Sequence, residues 1–411
     1  MSGFKKDLQY YKFGLYGFLK NIRLFEPFLI LFFIDAGLSY LQIGILYSFR
    51  EIARNILEIP AGVYADATGR RRSMIMSFSA YILSFFLFWS SVSYALFFAA
   101  MLFFAVGDAF RTGTHKAMIF DYLKIKGWQN QKADYYGHTR AFSQFGTAIA
   151  SVLSALLVFF SGNYRMIFLF SIIPYVLDLI NLMSYPKMLD GDIAPAKSGG
   201  FFKTFKKVFS DFLSSLKNTK QLKIILSIAW YSAYYKIIKD FIQPIIVSFA
   251  LLVPFLQNHS DKQRSAVFVG LVYFIIYILT SLSSKKTAFF ISFFGSYQKA
   301  LNILMFGGLS FGLVAAGVYR LDFPLLSVLL MIPVFLIENI RKPAGVALIA
   351  DNPSKNILAT VLSVQSQLQT LLVALLTPLM GLLSDKFGLA AGMMFTTAAL
   401  LASAWFLRLK E

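Results

Sequence analysis

The sequence predicts an all-α polytopic membrane protein, with twelve transmembrane helices arranged as two pseudo-symmetric six-helix bundles. Three observations carry that prediction. Of the 411 residues, 57% are hydrophobic and only 14% charged, too little polar surface to cover a soluble globule of this size. Apolar runs of the roughly 20 residues a bilayer requires recur along the whole chain. A long basic stretch near the middle divides them six and six.

The spans are expected at roughly 15–39, 42–64, 73–95, 97–120, 140–161, 165–185, 223–251, 264–283, 300–319, 323–346, 358–382 and 388–407. Lys5, Lys6 and Lys12 lead into the first span, which itself carries Lys20, Arg23 and Glu26. No small-residue cleavage site follows, so this span is expected to be retained rather than removed as a signal peptide. Glu26 directly precedes Pro27, a helix-kinking residue. In the second span Arg50, Glu51, Arg54 and Glu58 fall within about 100° of one another on a helical wheel. Asp108, Arg111 and His115 share a narrower face, about 60° wide, of the fourth. The seventh span carries Lys236, Lys239 and Asp240, and the tenth carries Glu338, Arg341 and Lys342. Asp178 stands alone in the sixth, Gln365, Gln367 and Gln369 point to different sides of the eleventh, and Asp35 is expected to be solvated near the outer end of the first.

Domain boundaries follow from the polar gap. Residues 1–185 form the N-terminal bundle, 186–221 a cytoplasmic linker rich in lysine with an amphipathic surface helix expected over Phe201–Leu216, and 222–411 the C-terminal bundle. With both termini cytoplasmic, only Arg165, Lys262, Arg264, Arg320 and Lys386 fall on outer segments, an asymmetry that supports an even number of spans in a cell membrane. It also accounts for much of the net charge of +19, which then speaks for orientation and contact with anionic lipid rather than for nucleic acid.

Several chemistries are excluded. The absence of cysteine removes disulfides, thiol catalysis and thiolate metal sites, and three histidines make a histidine-rich metal centre an unexpected feature. No P-loop, HExxH or GxSxG is present, so the chain is not expected to be an enzyme or to hold a cofactor.

An internal repeat supports two bundles. Asp108, Arg111, Ala117, Ile119 and Asp121 in the fourth span recur in register as Glu338, Arg341, Ala347, Ile349 and Asp351 in the tenth. A duplicated six-helix half places those two spans in equivalent positions.

The stretch Gly62-Val63-Tyr64-Ala65-Asp66-Ala67-Thr68-Gly69-Arg70-Arg71-Arg72 lies between the second and third spans. It resembles motif A of the major facilitator superfamily, matching at Gly62, Asp66, Gly69, Arg70 and Arg71. The turn at Gly37–Gly44, the approach Glu58–Gly62 and the run from Phe110 through Ala117 to Asp121 are similar to the same family, the last to its bacterial drug-efflux-like branch. The resemblance covers essentially the whole chain. It implies a cytoplasmic latch in which Asp66 lies near the N-terminus of the eleventh span, Arg70 pairs with Asp121, and Arg140 completes the cluster. The chain also departs from the family pattern. The fifth span lacks the Gly-Pro pair of many proton antiporters, and Gly381–Gly388, although it reads G-x-x-x-D-x-x-G, falls on the outer side and is not taken as a second motif A.

Charges at mid-membrane cost roughly 2.5–3.5 kcal/mol each on insertion scales and persist mainly where they face a cavity or a partner. The expected substrate and proton pathway therefore comprises Glu26, Arg54, Glu58, Asp108, Arg111, His115, Lys236, Asp240, Glu338 and Arg341. Local neutralisation of Arg54 by Glu58, Asp108 by Arg111 and Glu338 by Arg341 is the alternative, and a hydrogen-bonded packing role is the alternative for His115. The function expected is secondary active transport by alternating access, proton-coupled export of an amphiphilic small molecule. The second reading is proton-coupled or facilitated uptake of an anionic or zwitterionic metabolite, with arginine as the anion-binding group. A transporter-like receptor or a membrane enzyme is a remote third. The transporter is expected to function as a monomer.

Overall fold

The computed structural model describes residues 5–191, 219–350 and 355–410. The described residues are helical throughout, with α1 (Leu8–Lys20), α2 (Leu29–Asp35), α3 (Tyr40–Thr68), α4 (Arg70–Ser90), α5 (Tyr94–Arg111), α6 (Thr114–Ile125), α7 (Lys132–Ser161) and α8 (Met166–Met183). There follow α9 (Thr219–Leu252), α10 (Asp261–Lys285), α11 (Thr287–Phe294), α12 (Tyr297–Arg320), α13 (Pro324–Ala350), α14 (Lys355–Phe387) and α15 (Leu389–Ala404). Each of the twelve expected spans coincides with one helix or a consecutive pair. The expected surface helix at Phe201–Leu216 lies outside the described residues.

Among the described residues nine helices are long and apolar enough to cross a membrane. The second span falls short because of its charges at Arg50, Glu51, Arg54 and Glu58, and the seventh because of Lys236, Lys239 and Asp240.

The first span differs from its expectation of one kinked helix over 15–39. Asp7 starts α1 early, its carboxylate accepting the Tyr10 N–H at 2.9 Å. At the other end α1 stops at Lys20, where Asn21 Nδ2 donates back to the Gly17 carbonyl at 2.6 Å. A 3-10 turn over Glu26–Phe28 precedes α2. Pro27 lies within that turn and supplies no N–H, so no unbroken hydrogen-bond ladder runs through it from α1 into α2. The fourth span is also interrupted: α5 gives way to α6 through Gly113, whose φ of +76° suits glycine alone.

Two compact units emerge from the packing. One combines Met1–Glu26 with Phe49–Phe205, and the other combines Pro27–Ser48 with Lys206–Glu411. In the first unit α4 packs on α5 and α8, and α1 on α7. The buried Ser73, Ser77 and Ser84 of α4 donate to the carbonyls of Phe110, Gly107 and Ala100 on α5 at 3.0, 2.6 and 2.8 Å. Small hydroxyls on one helix stripe are effective interhelical glue where water is absent. In the second unit α12 packs on α13 and α15, and α9 on α13 and α14. The start of α3 also belongs here: a Cβ on Gly44 would meet the Thr377 carbonyl at 2.7 Å, and one on Gly381 would meet that of Tyr40 at 2.3 Å, so only glycine allows α3 and α14 to approach so closely.

Candidate functional site: a cationic cavity and a buried carboxyl

In the first unit the two interrupted spans meet. A cavity of about 310 Å³ opens where α1 ends, α5 gives way to α6, and α7 passes alongside. Its charged lining consists of Lys20, Arg111, Lys116 and Arg140, with His115 between them, and no carboxylate among the described lining residues. Aromatic rings hold part of this charge: Lys20 lies 5.9 Å from the centre of the Tyr16 ring and Lys116 5.2 Å from that of Tyr136.

Arg111 is fixed from behind. Its Nη2 donates to Asp108 Oδ1 at 3.0 Å and its Nε to the Tyr81 hydroxyl at 3.1 Å, while that hydroxyl donates to the same carboxylate oxygen. The pairing is therefore the local i, i+3 bridge that the sequence allows, but Arg111 still lines the cavity. His115 also serves two surfaces. Its ring stacks on Tyr16 with centroids 3.6 Å apart and its Nε2 lies 3.2 Å from the Tyr185 hydroxyl. Behind the cavity, Asp178 is fully buried and accepts from Asn181 Nδ2 at 3.1 Å.

Charges on α3 close on one another. Arg50 bonds Glu51 at 3.0 Å, Arg54 lies 3.7 Å from Glu51, and it lies 3.3 Å from Glu58. Glu51, absent from the expected pathway, is the most buried of the four at 2% exposure. Glu26 opens the 3-10 turn in the break of the first span.

At the opposite end of α3, Gly69 has φ of +101° and begins α4. Arg70 bonds Asp121 on α6. Asp66 and Gly62 are exposed, and among the described residues nothing lies within 4 Å of a Cβ built on Gly62, so Gly62 marks no close helix contact there. The N-terminus of the eleventh span, the expected neighbour of Asp66, adjoins residues 351–354, which lie outside the described residues. Arg140 does not join this cluster: it makes no ion pair among the described residues and lines the cavity instead. The acid that does join is Asp190, whose carboxylate accepts the Arg71 N–H at 3.0 Å and so caps α4 from beyond the sixth span. Its signal in the sequence is slight, one of two acids flanking Gly191 in a basic stretch.

In the second unit the repeated pair behaves differently. Glu338 is buried, accepts from Ser232 Oγ at 2.6 Å, and has no hydrogen-bond partner for Oε2 among the described residues. Arg341 turns away from it. Its Nε donates to the Leu301 carbonyl and its Nη2 to the carbonyl and hydroxyl of Ser227, each at 3.2 Å, with the Tyr231 ring 4.8 Å away. The local Glu338–Arg341 bridge is thus not formed. Lys236 is half-buried and Asp240 buried, the latter 3.9 Å from Lys239. Gln243, which drew no attention in the sequence, is fully buried, accepts the Ile30 N–H of α2 at 2.9 Å and donates to Tyr273 at 3.2 Å.

Asp385 near the end of α14 accepts the N–H groups of Tyr40 and Leu41 at 2.8 and 2.9 Å, capping α3 with both oxygens. Lys262 bonds Asp35, which is therefore paired rather than simply solvated.

A profile of the Major Facilitator Superfamily matches residues 18–373. The chain belongs to that family. As a member it is a multi-pass membrane transporter and not an enzyme. An "Uncharacterized MFS-type transporter YxaM" of Bacillus subtilis (strain 168) is 25% identical over 267 residues, which span 64% of this chain and 63% of that protein's length. Among solved structures, the nucleoside transporter NupG superposes with a TM-score of 0.76 at 16% identity over 98% of each chain. A bacterial homologue of the human lysosomal transporter Spinster superposes at 0.73 and 15% identity, covering 98% of this chain and 97% of its own. At these identities the family member shares their fold, and the drug-efflux branch is not singled out.

Proposed function

We propose that this protein is a secondary transporter working by alternating access, and that its substrate is a small organic anion or zwitterion engaged by Lys20, Arg111 and Arg140. The observation that carries this reading is the cavity whose charged lining is cationic. A carboxylate or phosphate entering it exchanges water for charge-assisted hydrogen bonds, and the guanidinium fork held by Asp108 and Tyr81 is pre-oriented for bidentate contact. Amphiphile export, the first expectation from the sequence, draws support from the aromatic rings of the same lining. A lining that sets Lys20, Lys116 and Arg140 beside the bridged Arg111, with no carboxylate among its described residues, favours a negatively charged ligand, so the second reading becomes the leading one.

Proton coupling is assigned to Glu338. Its carboxylate has one hydroxyl donor and no cation within ion-pair distance among the described residues, so gaining a proton removes a poorly compensated charge. Asp108 is less suited, because Arg111 and Tyr81 both favour its ionised form. Glu26 remains the acid placed at the break in the first span.

A panel of organic anions, zwitterions and cations screened by thermal shift on the purified protein tests the substrate class without assuming a direction. Stabilisation by anions that Arg111→Lys weakens supports the reading, and stabilisation confined to lipophilic cations overturns it. Flux into proteoliposomes under imposed gradients then gives direction and coupling.

A further inference from the structure

The last residues of the described chain are held in place more firmly than a terminal tail requires. Leu409 is 6% exposed and inserts beside Leu301 of α12 and Ala344 of α13. Its backbone is clasped as well: Asn302 Nδ2 donates to the Leu409 carbonyl at 2.8 Å, and the Leu409 N–H donates to Asn302 Oδ1 at 2.9 Å. A carboxamide that satisfies both backbone groups of one residue fixes the direction of the chain on either side. The flanking residues Arg408 and Lys410 are consequently presented outward, and both are exposed.

They face a cavity of about 770 Å³ that Lys223 at the start of α9 and Lys299 in the first turn of α12 also line. Every charged side chain lining it among the described residues is a cation. Beside them Trp405 and Phe406 are 64% and 76% exposed, and the Arg408 guanidinium lies 5.8 Å from the Trp405 ring. Strongly exposed aromatic side chains next to basic ones, where the last helix ends, have the composition of a membrane interface: rings at headgroup depth, cations just outside it.

We infer that this cavity binds the headgroup of an anionic phospholipid, with Lys223, Lys299, Arg408 and Lys410 around the phosphate and Trp405 against the glycerol and upper acyl region. A soluble phosphate compound offers the same anion but no apolar surface to cover the exposed parts of Trp405 and Phe406, which is why the lipid is the ligand assigned. The site belongs to the second unit alone and does not depend on the substrate reading above. It lies at the end of the bundle that the charge asymmetry of the sequence assigns to the cytoplasm, where anionic headgroups attract juxtamembrane lysine and arginine.

The full chain reconstituted in nanodiscs of phosphatidylcholine, with or without phosphatidylglycerol, tests this. Phosphatidylglycerol is expected to raise the melting temperature by several degrees, and native mass spectrometry is expected to show the lipid retained on the protein. Arg408→Gln combined with Lys410→Gln should remove most of both effects. Lys285→Gln combined with Lys286→Gln, neutralising two exposed lysines at the end of α10, should leave them intact. Trp405→Ala, which changes no charge, should also diminish retention. Equal losses in the two double variants would reduce the effect to general surface attraction and overturn the site. Full retention in Trp405→Ala, or an equal rise on adding glycerol phosphate to lipid-free protein in detergent, would overturn the lipid as its occupant.

Discussion

At the scale of single residues, the two copies of one sequence repeat have taken on different work. Asp108 and Arg111 keep their bridge and present the guanidinium to a cavity. Glu338 and Arg341, in the same register, have parted: the arginine ties three backbone and hydroxyl oxygens together in the core, and the carboxyl keeps a single donor. Two variants should therefore fail differently. Arg111→Lys retains charge but loses the planar fork and its bond to Tyr81, so anion affinity should fall about tenfold or more, the loss of one to two charge-assisted bonds of about 1.5–3 kcal/mol, while gradient dependence persists. Glu338→Gln should leave ligand binding near the wild-type level and abolish accumulation driven by a proton gradient in proteoliposomes. Accumulation that survives Glu338→Gln would move the coupling role to another acid, with Glu26 next in line.

At the scale of elements, helix ends carry more of the architecture than the charged faces suggested. Asp190 caps α4 and Asp385 caps α3, each from a segment far away in sequence. Asp385 belongs to a G-x-x-x-D-x-x-G stretch of the same form as Gly62–Gly69, and its observed role is to cap a helix. Replacing it by alanine orphans two N–H groups in the first turn of α3 and weakens the seam where Gly44 and Gly381 pack. The Tyr40 and Leu41 amides should then exchange with deuterium roughly twofold to thirtyfold faster, since a lost helix cap is worth about 0.5–2 kcal/mol; unchanged exchange would mean the cap contributes nothing there. Gly69→Ala is expected to be worse than an ordinary loop substitution. The backbone sits at φ of +101° and the new Cβ would fall 2.7 Å from the Asp190 carboxylate, so melting should drop by several degrees and the α4 cap should loosen.

At the scale of the whole molecule, family membership makes alternating access the working frame, and the motif A stretch is its expected regulator. Arg70 and Asp121 are joined within the first unit, whereas Asp66 is exposed and engaged by no ion pair among the described residues. Asp66→Asn should accordingly leave membrane insertion and melting nearly unchanged while reducing transport severalfold. Wild-type flux in that variant, measured in proteoliposomes at matched protein content, would strip the residue of its role in the latch.

The sequence by itself determined the class, the number and order of the spans, and the family, because each of these follows from quantities that accumulate locally: runs of apolar residues, the sidedness of lysine and arginine, and a short motif with fixed spacing. It also drew the expected pathway residues from five of the spans, since a bilayer penalises each charge wherever the chain happens to pack. Which of those charges neutralise one another, and which face a cavity, depended on rotation and breakage of the helices. The placement of Arg140 beside Arg111 and the caps supplied by Asp190, Gln243 and Asp385 all join residues far apart in the chain. Only tertiary structure decided them, because a backbone N–H at a helix end or a buried guanidinium accepts any well-placed oxygen, and sequence spacing does not say which oxygen arrives.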